Sequence, residues 1–263
     1  MSRSLLEKFA PVAFNLFAAC LAALGVIHLI AGETVMRLFQ GWPAWLPGRP
    51  YWAHVGGALL AILGGMALLR IRARTALTVM GVLILGSVLA LHLPRAIPAG
   101  DFGDAWLNFF KWLAMAAGTF LFAGTCAASG GTSTLDRLAG ILAAGAPGFL
   151  AAFMIGAAIL HVRAAAVIDQ YYIPAYIPWH LFWIYFTAGA LALGGVGLLV
   201  PLTRRLAALL TSVMIFLWCP LLHIPRTFAE PRSPAEWCGV FESLAFAAIA
   251  FLLAVRAQQK NTA

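Results

Sequence analysis

His92-Leu93-Pro94-Arg95 is followed eleven residues later by Trp106, and the same order returns as His223-Ile224-Pro225-Arg226 followed by Trp237. The two copies stand 131 residues apart in a chain of 263. The offset extends without a gap beyond the motif: Pro43, Pro47, Trp52, Gly64, Arg74, Phe110, Leu113 and Phe120 correspond to Pro174, Pro178, Trp183, Gly195, Arg205, Phe241, Leu244 and Phe251. The chain reads as a tandem duplication, so the fold of one half predicts the fold of the other.

Composition names the solvent. With 63% hydrophobic residues, 10% charged residues and a mean hydropathy of +0.92, too few polar side chains remain to cover a soluble globule. Lipid is the expected surroundings and the first expected partner. The net charge of +8 then belongs to helix ends facing anionic headgroups. Lys and Arg do not interleave with exposed aromatics on a polar face, so nucleic acid is not an expected partner.

Crossing the hydrocarbon core takes about 20 apolar residues. Eight segments meet or approach that length, near 11–31, 51–70, 75–93, 106–126, 138–162, 179–200, 205–223 and 237–256. The expectation is an all-α polytopic membrane protein of eight transmembrane helices. These form two parallel four-helix repeats, 1–128 and 138–263, joined by a linker at 129–137 containing Ser129-Gly130-Gly131-Thr132-Ser133. Four helices per half leave both halves in one orientation. The apolar run after Arg3 and Lys8 continues to Ile30, which suits a span better than a removable leader.

Basic residues set the expected orientation. Arg3, Lys8, Arg70, Arg72, Arg74, Arg137, Arg204, Arg205, Arg256 and Lys260 fall on one side, against Arg37, Arg49, Arg95, Arg163, Arg226 and Arg232 on the other. The excess predicts both termini cytoplasmic, with the bacterial inner membrane as the expected location. Chemistry is expected on the outer side, where the loops are long and rich in proline and aromatics. Trp42, Trp45, Tyr51, Trp52, Tyr171, Tyr172, Tyr176 and Trp179 read there first as an interfacial belt and second as stacking surfaces.

All six histidines fall toward that side. His28, His92, His161 and His223 end alternate helices. If each half packs as its own bundle, His28 and His92 converge on one interior. Three readings compete. The four are candidate metal or haem ligands, because two neutral imidazoles across a bundle core can ligate iron. Alternatively, His92 and His223 with Arg95 and Arg226 line a pocket for a quinone or another amphiphile. The plainest reading has each imidazole bonding a helix-end carbonyl. Pro94 and Pro225 predict helix ends, making the motif a corner, with Arg95 and Arg226 meeting phospholipid headgroups or a carboxylate.

The duplication breaks in an informative place. Lys111 corresponds to Glu242, each about one and a half turns inside its helix. Equivalent positions of a pseudo-twofold assembly meet only near its axis, and intramembrane charges are paired or functional. An ion pair joining the halves is the prediction; the alternative for Lys111 is snorkelling. Of the four cysteines, Cys20 and Cys126 read as packing residues. Cys219 and Cys238 read the same way, with a disulfide between them as the second reading. Walker, nucleophile-elbow, His-Glu-x-x-His and Rossmann patterns are absent, which leaves hydrolase and nucleotide-dependent activities without support.

The His-x-Pro-Arg element, the proline-containing loop, Glu236-Trp237 with Phe241-Glu242, and the upstream prolines with Trp183 together resemble the DoxX-like family of four-helix membrane proteins. The resemblance covers nearly the whole chain as two units in tandem. The first unit departs from it, with Ala105 and Lys111 in place of Glu236 and Glu242. What the resemblance implies is an accessory redox-associated membrane subunit, with a redox partner subunit and a quinone-like ligand held near the outer face. On that expectation His92, Arg95, His223, Arg226, Glu242 and Lys111 are the ligand-binding candidates. A small-molecule transporter, or a structural subunit without its own ligand, is the alternative.

Overall fold

Small residues decide how closely the first two helices approach. α1 (Leu5–Ala31) and α2 (Arg49–Leu68) cross so tightly that a Cβ on Gly25 would stand 2.3 Å from the backbone nitrogen of Ala61. One on Gly64 would stand 2.5 Å from that of Ala22. Lipid tails are as apolar as leucine, so close backbone packing rather than water exclusion drives such association.

The computed structural model describes residues 5–33, 47–127 and 134–262, and among these every regular element is helical. After α2, a tight turn through Arg70 and Arg72, both in the left-handed region at φ 61° and 45°, leads into a helical rod over Ala73–Ala99, α3. α4 (Asp104–Ala123) completes the first half. The second contains α5 (Thr134–Arg163), a short α6 (Ala165–Tyr171), α7 (His180–Leu199), a rod over Arg204–Ala229, α8, and α9 (Pro234–Thr262). The linker residues Ser129 to Ser133, and Trp42 and Trp45 of the aromatic set, lie outside the described residues.

Seven of these helices are long and apolar enough to cross a membrane: α1, α2, α3, α5, α7, α8 and α9. α4 has twenty residues as well, but Asp104, Asn108 and Lys111 interrupt its apolar run. Its interior position makes that tolerable, since Trp112 and the run from Ala114 to Ala123 are buried in protein.

Two expectations need correction. The first concerns the proline motif, which does not end a helix. α3 passes through a π-helical turn at Val88–His92 and continues as α-helix over Leu93–Ala96. α8 does the same at Cys219–His223 and Ile224–Ala229. A proline lacks the N–H that its i−4 carbonyl needs, and its ring crowds that carbonyl. Widening one turn to i→i+5 bonds, as in Leu93 N–H to Val88 O and Ile224 N–H to Cys219 O, makes room for the ring without breaking the rod. The two π turns are themselves 131 residues apart.

The second correction concerns the bundle. The halves do not close separately. α1 packs on α2 and on α9; α4 packs on α3 and on α5; α5 packs on α7, and α8 on α9. The first and last helix of each half thus turn to the other half. Near the basic turns, Phe17 of α1 stacks on Phe122 of α4 with ring centroids 4.4 Å apart.

α9 is the most enclosed span, 72% buried where the others reach at most 50%, and it meets α4 in the middle of the molecule. Their contact repeats every seven residues, the distance after which a helix returns nearly to the same face. Lys111 meets Glu242, and a Cβ on Gly118 would stand 2.3 Å from Ile249 Cδ1. Each of these is a pair of positions 131 apart. Ser212 of α8 donates to Ala247 O of α9 at 2.8 Å, so the hydroxyl in this apolar interface has an acceptor.

Candidate functional site

The α4–α9 crossing and the two π turns bring the polar residues together at one end of the bundle. Lys111 Nζ donates to Glu242 Oε2, forming the ion pair expected from the charge swap. The two side chains keep only 13% and 15% of their exposure, so each would be costly to bury without the other. Lys111 Nζ also lies 5.1 Å from the ring centroid of Trp112, within cation–π range. Trp112 is fully buried and its indole N–H has no hydrogen-bond partner among the described residues. A buried donor left so is uncommon and marks a place where water or a ligand oxygen belongs.

His28 of α1 and His223 of α8 both fall within electrostatic reach of Glu242. His28 is fully buried and His92 is 1% exposed. His223 packs against Gly239 so closely that a Cβ there would stand 2.7 Å from its Nδ1. The first half has Asn108 at the equivalent position, donating from Nδ2 to Asp104 O at 2.8 Å. Thr227 Oγ1 donates to the carbonyl of His223 at 2.8 Å, supporting the backbone just past the π turn.

The plainest histidine reading describes two of them. His28 Nδ1 donates to Leu24 O at 2.8 Å and His161 Nδ1 to Ala157 O at 2.7 Å, each one turn back in its own helix. This bond selects the Nδ1–H tautomer and leaves Nε2 as the nitrogen for any other partner. His161 is held by α5 alone, and among the described residues no three His, Cys, Asp or Glu side chains gather where they could hold a metal ion. The packing of α1 on α9 as well as on α2 puts His28 in electrostatic range of Glu242. His180, unmatched in the repeat, has its Nδ1 2.7 Å from Asp169 Oδ1.

Arginine is where the halves differ most. Arg226 forks onto Glu236, with Nε to Oε2 at 2.9 Å and Nη2 to Oε1 at 2.6 Å. It also donates from Nη1 to Tyr172 O at 3.2 Å and stacks over the Tyr172 ring at 4.9 Å. A guanidinium so engaged fastens α8 to α9. In the first half the acid is Asp104, one residue earlier than the equivalent of Glu236. One residue rotates a helix by about 100°, and Asp is shorter by a methylene. Arg95 reaches it at only 3.7 Å, and Arg95 Nη1 is buried without a hydrogen-bond partner. The two arginines expected at the site therefore have a protein carboxylate each, but an incomplete bond set on one side.

Sequence reading passed over Trp112, Asn108 and Tyr176 as polar participants. The Tyr176 hydroxyl donates to Leu221 O, the carbonyl that Pro225, four residues on, cannot satisfy. The signal was legible in principle: each motif proline names the carbonyl it orphans. Cys219 and Cys238, like Cys20 and Cys126, are free thiols. The described aromatics of the expected belt, exposed from 40% at Trp52 to 77% at Trp179, lie on the surface at this same end.

A domain of unknown function, DUF8561, matches residues 150–224. That segment runs from the middle of α5 through the second π turn, and so includes His161, His180 and His223 but not Glu242. No curated protein and no solved structure matches the chain.

Proposed function

We propose that this protein is an accessory, redox-associated subunit of the bacterial inner membrane that holds a small amphiphilic ligand, a quinone in the leading reading, in the polar cluster around Lys111 and Glu242. The observation that carries the reading is the buried Lys111–Glu242 ion pair, with His28 and His223 in electrostatic range of its carboxylate and, on the residue beside Lys111, a buried indole N–H without a partner among the described residues. Quinone carbonyls are hydrogen-bond acceptors on an apolar body, so a buried N–H donor and proton-exchanging imidazoles at the same end of the bundle suit them. Arg226 and Glu236, and Arg95 in the first half, support the site by fastening the rods that bear His223 and His92. The resemblance to the DoxX-like family points the same way, by analogy of fold.

The reading includes a tandem duplication with eight spans. Supporting it are the uninterrupted 131-residue correspondence, the paired π turns, and the meeting of equivalent residues along α4 and α9. The basic turns at 70–74 and 201–205 would face the cytoplasm, with both termini. The polar cluster would then lie toward the outer face.

The test is purification in mild detergent, followed by an absorption spectrum and organic extraction. About one quinone per chain in the wild type, reduced in H223Q and H92Q while both variants fold, is the expected result. A Soret band would move the assignment to haem ligation by the histidines. Neither chromophore nor quinone in the wild type would sink ligand binding and leave transport or a structural role.

A further inference from the structure

At the opposite end of the bundle, where the basic turns lie, a cavity of about 380 Å³ opens between the halves. α3 and α4 line it from the first half, and α5, the α7–α8 turn and α9 from the second. Three arginines face it, Arg74, Arg204 and Arg256, against one carboxylate, Asp136. Arg74 and Asp136 answer each other, Nη2 to Oδ1 at 2.8 Å. Among the described residues, neither Arg204 nor Arg256 pairs with a carboxylate. Arg204 donates to the carbonyls of Leu198 at 2.7 Å and Leu199 at 3.3 Å, and Arg256 to that of Leu121 at 3.0 Å. Those bonds fix the direction of both guanidiniums while leaving their positive charge unbalanced and part of each five-donor fork unused. The rest of the wall is apolar, including Phe120, Pro147 and Leu253.

We infer that this cavity is a binding site for the phosphate oxyanion of an anionic amphiphile, with Arg204 and Arg256 as its ligands and the apolar wall receiving the glycerol and upper acyl chain. Arginine is the side chain suited to phosphate because its planar fork offers parallel donors. Basic pockets between membrane helices on the side rich in Lys and Arg are where acidic headgroups bind. An unspecific basic surface would not need the arginines oriented by backbone carbonyls inside a cavity. The site does not depend on the ligand proposed at the other end. Because it spans both halves, occupancy would brace their junction.

The experiment uses the full chain, delipidated in detergent and then offered phosphatidylglycerol, phosphatidylcholine or inorganic phosphate. Native mass spectrometry counts bound lipid and thermal unfolding reads its effect. With the two lipids at equal concentration, phosphatidylglycerol is expected to exceed phosphatidylcholine on the wild type about tenfold and to raise the Tm where phosphatidylcholine does not. The preference should disappear in R204Q and in R256Q and persist in R205Q, whose arginine is exposed at the same end outside the cavity. If inorganic phosphate alone reproduces the Tm rise, the oxyanion site stands and its ligand is a soluble phosphate. Equal retention of the two lipids by the wild type, with no response to phosphate, overturns the proposal without any variant. So does a preference that R204Q and R256Q leave unchanged, or that R205Q removes equally.

Discussion

Gly118 of α4 accommodates Ile249 of α9 so closely that a Cβ on the glycine would stand 2.3 Å from Ile249 Cδ1 and 2.6 Å from its Cγ1. The two positions stand 131 residues apart in sequence, and the glycine is what lets the central helices meet. G118A gains about 1 kcal/mol of helix propensity and sets it against an overpacking cost of about 1–3 kcal/mol. The expected outcome is a lower Tm in detergent. Adding I249A should return part of the loss, because it removes the atoms in conflict. A G118A variant as stable as wild type would show that the helices part easily here.

One heptad away, Lys111 and Glu242 carry the opposite charges of the same contact. Removing one partner from a pair this buried costs about 3–5 kcal/mol, while replacing both with apolar residues approaches neutrality. K111M and E242Q are each expected to lower stability strongly, and K111M/E242L to recover most of it. The exchange K111E/E242K should also fold, since the two positions face each other. Additive losses in the double variant, read from thermal or denaturant unfolding, would show that the charges act independently.

Tyr176 and Pro225 make a coupled prediction. The Tyr176 hydroxyl serves Leu221 O, which lacks a helical N–H because residue 225 is proline. Y176F is expected to cost about 0.5–1.5 kcal/mol. In a P225A background a new backbone N–H competes for that carbonyl, so the same tyrosine change should cost less. An equal cost in both backgrounds would mean that the proline does not create the need for the phenol.

Acid sensitivity is expected outside the spans. Arg163 donates to Asp101 Oδ2 at 2.9 Å and to Phe102 O at 2.6 Å, tying the loop after α3 to the end of α5. The hydrogen bond first, and the charge of Arg163 second, hold the Asp101 carboxyl below its ordinary range. A carboxyl depressed in the folded state contributes stability that is present above its unfolded pKa and lost as the pH falls through the folded one. Tm measured from pH 6 down to pH 3 should therefore decline less in D101N than in wild type. A steeper acid-side decline in D101N would contradict the assignment.

The partner of Lys111 was legible from sequence because of a symmetry argument, which needs no coordinates: equivalent residues can meet only beside the axis, and their charges were opposite. The all-helical, membrane-spanning character followed from long apolar runs, which only a lipid environment satisfies. The histidine bonds to helix carbonyls were legible for a local reason, since an acceptor one turn back is present wherever the helix runs. Pro94 and Pro225 misled for a reason equally local. Proline reads as a stop, and the energy of a π turn inside a packed bundle is not written in the four residues of the motif.

What the sequence by itself determined is everything governed by composition and by distance along the chain: an all-helical membrane protein, a 131-residue correspondence, an excess of Lys and Arg at one end and the histidines at the other. Only the tertiary structure decided which helices are neighbours. α1 turns to α9 and α4 to α5, and that choice puts His28 in electrostatic range of Glu242 and places the arginines of three separate helices around one cavity. The physical reason is that apolar helices of similar length can pack in many orders with nearly equal burial. The order is selected by short-range fits such as Gly25 on Ala61 and Gly118 on Ile249, which a one-dimensional pattern does not rank.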